Sequence, residues 1–230
     1  MEFTHDQQAG LTRIVTVFLA ENANLDLSAL RTHEQCYIGN VLDSLALLDT
    51  LGVFLGEHWQ TLPCKALDLG TGGGFPLLPL AFMLPAWSFI GLDATAKKVE
   101  ALNRMVGSLE LHNVKTVCGR SETVAHTPDY RASCDLVLSR AVAPLATLLE
   151  YSVPLTKVHG HCVFWKSMHI ADELRMSLSA CDALSVSLVH THRYALPGSW
   201  GERQLLIYQK KAETRSVYPR GVGIPKGKPL

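Results

Sequence analysis

The segment Ala66-Leu67-Asp68-Leu69-Gly70-Thr71-Gly72-Gly73-Gly74-Phe75 constrains this chain more than any other. An apolar run ends in a carboxylate, then breaks into four glycines within five positions. A helix-compatible apolar segment, residues 76–84, follows at once. Strand, glycine turn and helix in that order bring backbone amides of a parallel α/β sheet close to a cofactor. Each glycine costs about 0.5–1 kcal/mol relative to alanine, which is hard to explain without a ligand. A second anchor, Trp87-Ser88-Phe89-Ile90-Gly91-Leu92-Asp93, places another carboxylate 25 positions after Asp68. There, a second strand offers Asp93, with Ala94 and Thr95 behind it, to a ribose diol. The pair points to a nucleoside cofactor.

The rest of the chain supplies the matching sheet. Apolar residues at helical spacing over 12–20 and 34–54 predict N-terminal helices beside it. Strand-like runs follow at Lys65–Leu69, 88–92, 115–118, 135–138 and 161–165, with helical stretches between them, clearest over 97–111. Such alternation implies parallel strands with right-handed crossovers. The end differs: runs 185–194 and 204–210 are joined by Leu-Pro-Gly-Ser-Trp-Gly, which leaves no room for a helix and makes an antiparallel hairpin. The expected fold is therefore Rossmann-like α/β, of the S-adenosylmethionine (SAM) methyltransferase kind. Its mostly parallel sheet is closed by an antiparallel hairpin and preceded by N-terminal helices. The division is a helical extension over 1–63, a SAM-binding domain over 64–210 and a basic tail over 211–230. With three prolines and three glycines in its last twelve residues, that tail is expected to lack regular structure.

The 230 residues, 47% hydrophobic and 18% charged, suffice for one domain with a sheet covered on both faces. Apolar stretches are read as falling short of a membrane span. The acidic start lacks the layout of a signal peptide. Six cysteines carry no CxxC pair and no metal spacing, so a reduced, cytoplasmic, metal-free protein is expected, with Cys118, Cys134 and Cys162 serving as small strand hydrophobes. Net charge is zero but uneven. Residues 1–63 hold eight acids against two Lys and Arg, whereas 203–230 hold seven basic residues and one acid. The basic end is a local polyanion contact or a solvated tail.

A dehydrogenase fingerprint G-x-G-x-x-G fails at its third glycine, where Phe75 stands. Asp-x-Gly-x-Gly-x-Gly fits instead through Asp68, Gly70, Gly72 and Gly74. SAM needs room for its methionyl part and a carboxylate near its ammonium, a role open to Asp68. Ser121-Glu122 after the third strand is placed to meet the adenine, although the pair suits a helix start equally well. Arg140 closes the fourth strand at the same sheet edge, either as a site residue or in a salt bridge to a nearby acid. Arg120, Arg203, Lys97 and Lys98 are weaker candidates for anionic contacts. A nicotinamide oxidoreductase and a SAM-binding module without catalysis stay open as alternatives.

Further blocks make the chain resemble the ribosomal RNA small-subunit guanine-N7 methyltransferases (the RsmG or GidB family). They are Asn24-Leu25, Val41-Leu42-Asp43-Ser44-Leu45, the glycine loop through Pro76, Leu92-Asp93 with Lys97-Lys98-Val99, Ser139-Arg140-Ala141-Val142-Ala143, Lys166, Gly201-Glu202-Arg203 and the tail from Tyr218-Pro219-Arg220. The resemblance implies methylation of guanine N7 in 16S RNA of the 30S subunit. Separately, the protein is expected to be a monomer. The resemblance also implies SAM held by Gly70, Phe75, Ser121, Glu122 and Arg140, with Asp93 on the ribose. Arg140 becomes the catalytic candidate, meeting O6, a phosphate or the methionyl carboxylate. Lys97, Arg120, Lys166, Arg203 and Arg220 become the RNA contacts.

Overall fold

The computed structural model describes residues 2–230. Seven strands form one sheet in the order β3-β2-β1-β4-β5-β7-β6. They are β1 (Lys65–Leu69), β2 (Ser88–Asp93), β3 (Val114–Cys118), β4 (Cys134–Arg140), β5 (Thr156–Ser167), β6 (Val186–Ala195) and β7 (Glu202–Lys210). β1 to β5 pair in parallel, and β7 lies antiparallel between β5 and β6. The expected hairpin is present, and its second strand is the one that docks on β5.

Side chains alternate across the strands, and each face collects its own helices. On one face Ala66, Phe89, Leu136 and Leu138 meet Leu11, Ile14 and Phe18 of α1 (His5–Leu25) and Val41 and Leu45 of α2 (His33–Leu55). The same face takes α3 (Leu77–Met83) and α4 (Ala96–Ser108). Gly91 sits mid-strand because a Cβ there would come within 2.8 Å of Leu102 and 3.0 Å of Leu77, where α4 and α3 close on the sheet. The other face, with Leu67, Ile90, Val137, Phe164 and Leu206, receives Leu145, Leu148 and Leu149 of α6 (Leu145–Ser152), the helix after the short α5 (Ser121–Val124). The helices α7 (Ala171–Met176) and α8 (Leu178–Leu184) extend that layer. Full burial of each Leu or Phe contributes about 1.5–3 kcal/mol.

Three expectations are corrected. First, 34–54 does not form a uniform helix. A Thr32–Gln35 capping box starts α2, residues Tyr37–Leu42 form a π turn and Ala46–Asp49 a 3₁₀ turn. By length and composition α2 is long and apolar enough to cross a membrane, because Asn40, Asp43 and Ser44 do not break its helical path; half of its apolar window is buried inside the fold. Second, Cys118 is exposed, since β3 is an edge strand, while Cys134 and Cys162 are buried as expected. Third, the tail is not loose. It has one helical turn, α9 (Ile224–Gly227), and is bound to the body at several points.

Candidate active site

The carboxyl ends of β1 to β4 open onto a cavity of about 300 Å³. Its floor is the turn after β1. Gly70 has φ +71°, and a Cβ there would lie 2.5 Å from Val142 Cγ2 across the cavity mouth. Only glycine meets both demands. The Gly70 and Thr71 amides donate to the Leu92 carbonyl at 2.8 and 3.1 Å, tying this turn to the end of β2. Asp93 completes the tie, for its two oxygens accept the Gly72 amide at 3.0 Å and the Thr95 amide at 2.9 Å. A carboxylate held that way keeps further lone pairs for a ligand hydroxyl.

Asp68 lies beneath this floor, fully buried. Burial pushes its carboxyl up to about 7, with the Thr71 hydroxyl, Arg140 and the Leu77 amide pulling the other way. Neither oxygen has a partner at bonding geometry, and the Thr71 hydroxyl is also unpaired. An orphaned buried carboxyl beside a glycine turn costs stability of order 1–3 kcal/mol. It suits a site whose ligand carries positive charge.

The far wall comes from α5 and α6. Ser121 Oγ donates to the Tyr151 carbonyl at 2.8 Å, locking the two helices together. Glu122, also buried, faces the cavity, as does Tyr151. Burial and the Glu122 carboxylate push the Tyr151 phenol up to about 12, so it stays a neutral donor at ordinary pH.

A second cavity, of about 380 Å³, lies on the other side of the turn after β4, and Ala141 borders both. Ala141 holds φ +58°, a left-handed backbone that costs a non-glycine residue about 1–2 kcal/mol. Arg140, Lys166, Arg203 and Trp165 line this second space around a buried acid, Asp43. Asp43 Oδ2 accepts from Arg140 Nη1 at 2.8 Å, and its Oδ1 accepts from the Tyr194 hydroxyl at 2.7 Å with Arg203 Nε 3.6 Å away. Arg140 also donates to the Gly39 carbonyl at 2.9 Å and Asn40 Oδ1 at 2.7 Å, both in the π turn of α2. A π turn leaves such carbonyls outside the regular helical ladder, and here an arginine takes one up.

Comparison with known proteins narrows the meaning of this edge. The family model for rRNA small subunit methyltransferase G matches residues 7–205. A protein named ribosomal RNA small subunit methyltransferase G from Carboxydothermus hydrogenoformans is 33% identical over 218 residues, which is 95% of this chain and 89% of that protein. One of the same name from Deinococcus radiodurans is 35% identical over 226 residues, 98% of this chain and 86% of its own. The chain belongs to this family. Among solved structures, a variant of MtNAS superposes with TM-score 0.57 at 12% identity, covering 86% of this chain and 71% of its own. A ribosomal protein L11 methylase from Lactobacillus delbrueckii gives 0.52 at 15%, covering 80% and 81%. At those identities the likeness is one of fold.

For a member of the rRNA small subunit methyltransferase G family, the expected site residues divide in two. Gly70, Asp93, Ala94, Thr95, Arg120, Ser121 and Glu122 all border the first cavity. Ser121 is the first residue of α5 rather than its cap, and its hydroxyl is spent on Tyr151. The other expectations need correction. Asp68 sits below the cavity rather than in its lining. Gly72 supplies an amide to Asp93, and Gly74, φ +86°, faces Leu78 in the core. Phe75 is buried edge-on to Phe18 at 5.0 Å, with the Arg140 guanidinium 5.8 Å from its ring centroid, and it does not line the first cavity.

The proposed cations are also redistributed. Arg140 is engaged by Asp43, Asn40 and Gly39, which makes it a positioning residue rather than a free catalytic group. Lys166 is paired with Glu173 and donates to the Ala143 carbonyl at 3.2 Å. Arg220 is clamped on the fully buried Glu150, which engages its guanidinium within the protein. Arg203 is half-buried, whereas Lys97 and Arg120 stand exposed. Sequence reasoning assigned no role to Asp43, Tyr151, Val142, Trp165 and Tyr194. Asp43 carried a signal as part of the Asp-Ser-Leu block, and Val142 as part of the Ser-Arg-Ala-Val-Ala block.

Proposed function

We propose that this chain transfers the methyl group of S-adenosyl-L-methionine to N7 of a guanine in the 16S RNA of the small ribosomal subunit. The observation that carries the reading is the pair of cavities meeting at Ala141, one framed by carboxylates and a glycine turn, the other by cations and an indole. Bound SAM would supply an activated methyl on a sulfonium. The residues fit it: Asp93 suits a ribose diol, Glu122 suits the exocyclic amine of adenine, and the orphaned Asp68 offers charge to a cationic ligand. The Gly70 turn leaves space at the mouth that any side chain would fill.

Guanine N7 carries an unprotonated lone pair at neutral pH, so its alkylation requires no general base. The protein's task is then alignment and water exclusion, which supply roughly 7–11 kcal/mol when geometry is good. Val142 and Ala141 separate the two spaces, and the exposed part of Arg203 is free to meet a phosphate or O6. Arg140 pairing with an acid is what a binding module without catalysis would also display. That pairing does not count against transfer to N7, which uses no charged catalyst. The six unpaired thiols fit a reducing cytoplasm, where assembling subunits are found.

Mass spectrometry of nuclease-digested small-subunit RNA, from cells with and without the gene, tests the reading. One guanine should gain a methyl at N7 only when the protein is present. Identical digests would refute it.

A further inference from the structure

The basic tail meets the cofactor cavity rather than leaving it. Arg131 donates to the Tyr218 and Thr214 carbonyls, each at 2.9 Å, and fixes the start of the tail. Next, the Arg220 guanidinium clasps Glu150 on α6 through Nε at 2.9 Å and Nη2 at 2.6 Å, and its backbone amide adds a third bond at 2.8 Å. Farther on, Thr147 Oγ donates to the Pro225 carbonyl at 3.0 Å. Between the last two anchors stands Gly223, φ +83°, and its amide donates to Glu122 Oε1 at 3.0 Å. Glu122 is the buried acid on the cavity wall.

We propose that residues 218–225 form a strap that positions Glu122 for the adenine end of the cofactor, the Gly223 amide being its working contact. The inference rests on the SAM reading above. A buried carboxylate with a fixed donor on one oxygen presents the other in one orientation. Without that donor it must find another partner or turn toward water, because an unpaired buried charge is costly. The other cations of the tail, Lys211, Arg215, Lys226 and Lys228, are exposed to solvent.

The test is calorimetry with S-adenosylhomocysteine and its hypoxanthine analogue, S-inosylhomocysteine, on the full chain and on one ending at Val222. That truncation keeps the Arg220–Glu150 and Arg131 anchors and removes the Gly223 amide. The full chain should prefer the adenine ligand, since a carboxylate accepts from an amine and repels a carbonyl. The shortened chain should bind the adenine ligand about tenfold more weakly, the scale of one charge-assisted hydrogen bond, and lose most of its preference. Thr147→Val in the full-length chain should shift both quantities in the same direction by a smaller factor, which keeps the test open if the truncation misfolds. Unchanged affinities, or equal weakening toward both ligands, would overturn the strap. Failure of the intact protein to bind either ligand would instead sink the SAM reading on which it depends.

Discussion

The two cavities at the sheet edge are built by opposite means. The first has its floor at the ends of β1, β2 and β3, with the turn after β4 and Tyr151 closing it, and its acids Asp93 and Glu122 are held by backbone amides. The second depends on side chains from distant parts of the chain: Asp43 and Arg140 lie 97 positions apart, and Asp43 and Tyr194 lie 151 apart. One acid that satisfies an arginine, a tyrosine and part of a second arginine makes the second region a structural junction as well as a site. The contrast teaches that binding and folding are separable in the first cavity and merged in the second.

The largest expected effect breaks that junction. Asp43→Ala strips Arg140 of its carboxylate partner and leaves the Tyr194 hydroxyl unpartnered, which should cost about 3–5 kcal/mol and lower the melting temperature by roughly 6–20 °C. Affinity for S-adenosylhomocysteine at low temperature should barely move, because Asp43 does not border the first cavity. Thermal unfolding and calorimetry together check this, and a large loss of affinity would show the cavities to be coupled. Gly70→Ala comes next. It adds about 1–2 kcal/mol of left-handed strain to the Val142 clash and should abolish measurable cofactor binding while the sheet persists by circular dichroism.

Asp93→Asn should weaken the same ligand about 10- to 100-fold, the value of a hydrogen bond to a charged group, and lower stability by about 1–3 kcal/mol, because the asparagine amide nitrogen cannot accept the second backbone N–H. A smaller, opposite signature belongs to the second region. Arg203→Ala should raise the KM for RNA a few-fold, an exposed charge contact being worth roughly 0.2–1 kcal/mol, and leave cofactor affinity alone.

The smallest effect is a dependence on pH. Asp68 is raised from the ordinary carboxylate range to about 7. Its folded-state pKa exceeds the unfolded one, so the native state binds the extra proton. Stability is unpenalised below about pH 4, falls as pH rises toward 7, and is level above that. A cationic ligand favours the ionised form, so affinity for SAM should climb gently between pH 6 and 8. Asp68→Asn should flatten the climb, as calorimetry in buffers of matched ionic strength would reveal.

This same contrast explains what could be read from sequence. The glycine turn, Asp93 and the Ser121-Glu122 pair are local patterns at strand ends, and each was legible from spacing alone. Arg140 was legible as a site-edge residue, but its role was not, because its partner sits in a helix from the opposite end of the chain. The packing of Phe75 was hidden for a similar reason, because the loop pattern says nothing of Phe18 in α1, which meets its ring. The tail composition implied no regular structure and missed the single helical turn of α9. It concealed the Arg220–Glu150 clasp, since a buried glutamate in an apolar helix is identical in sequence to a solvated one.

The strand order carries a consequence for biosynthesis. The last strand to emerge from a translating ribosome, β7, is an interior one that pairs with seven residues of β5. Until Lys210 is available, the nascent chain holds Cys162, Val163, Phe164 and Trp165 along an open backbone edge, a ready template for aggregation. A message cut short before that point therefore yields material for proteolysis rather than a partly working protein, and completion of the sheet doubles as a check on completion of the chain.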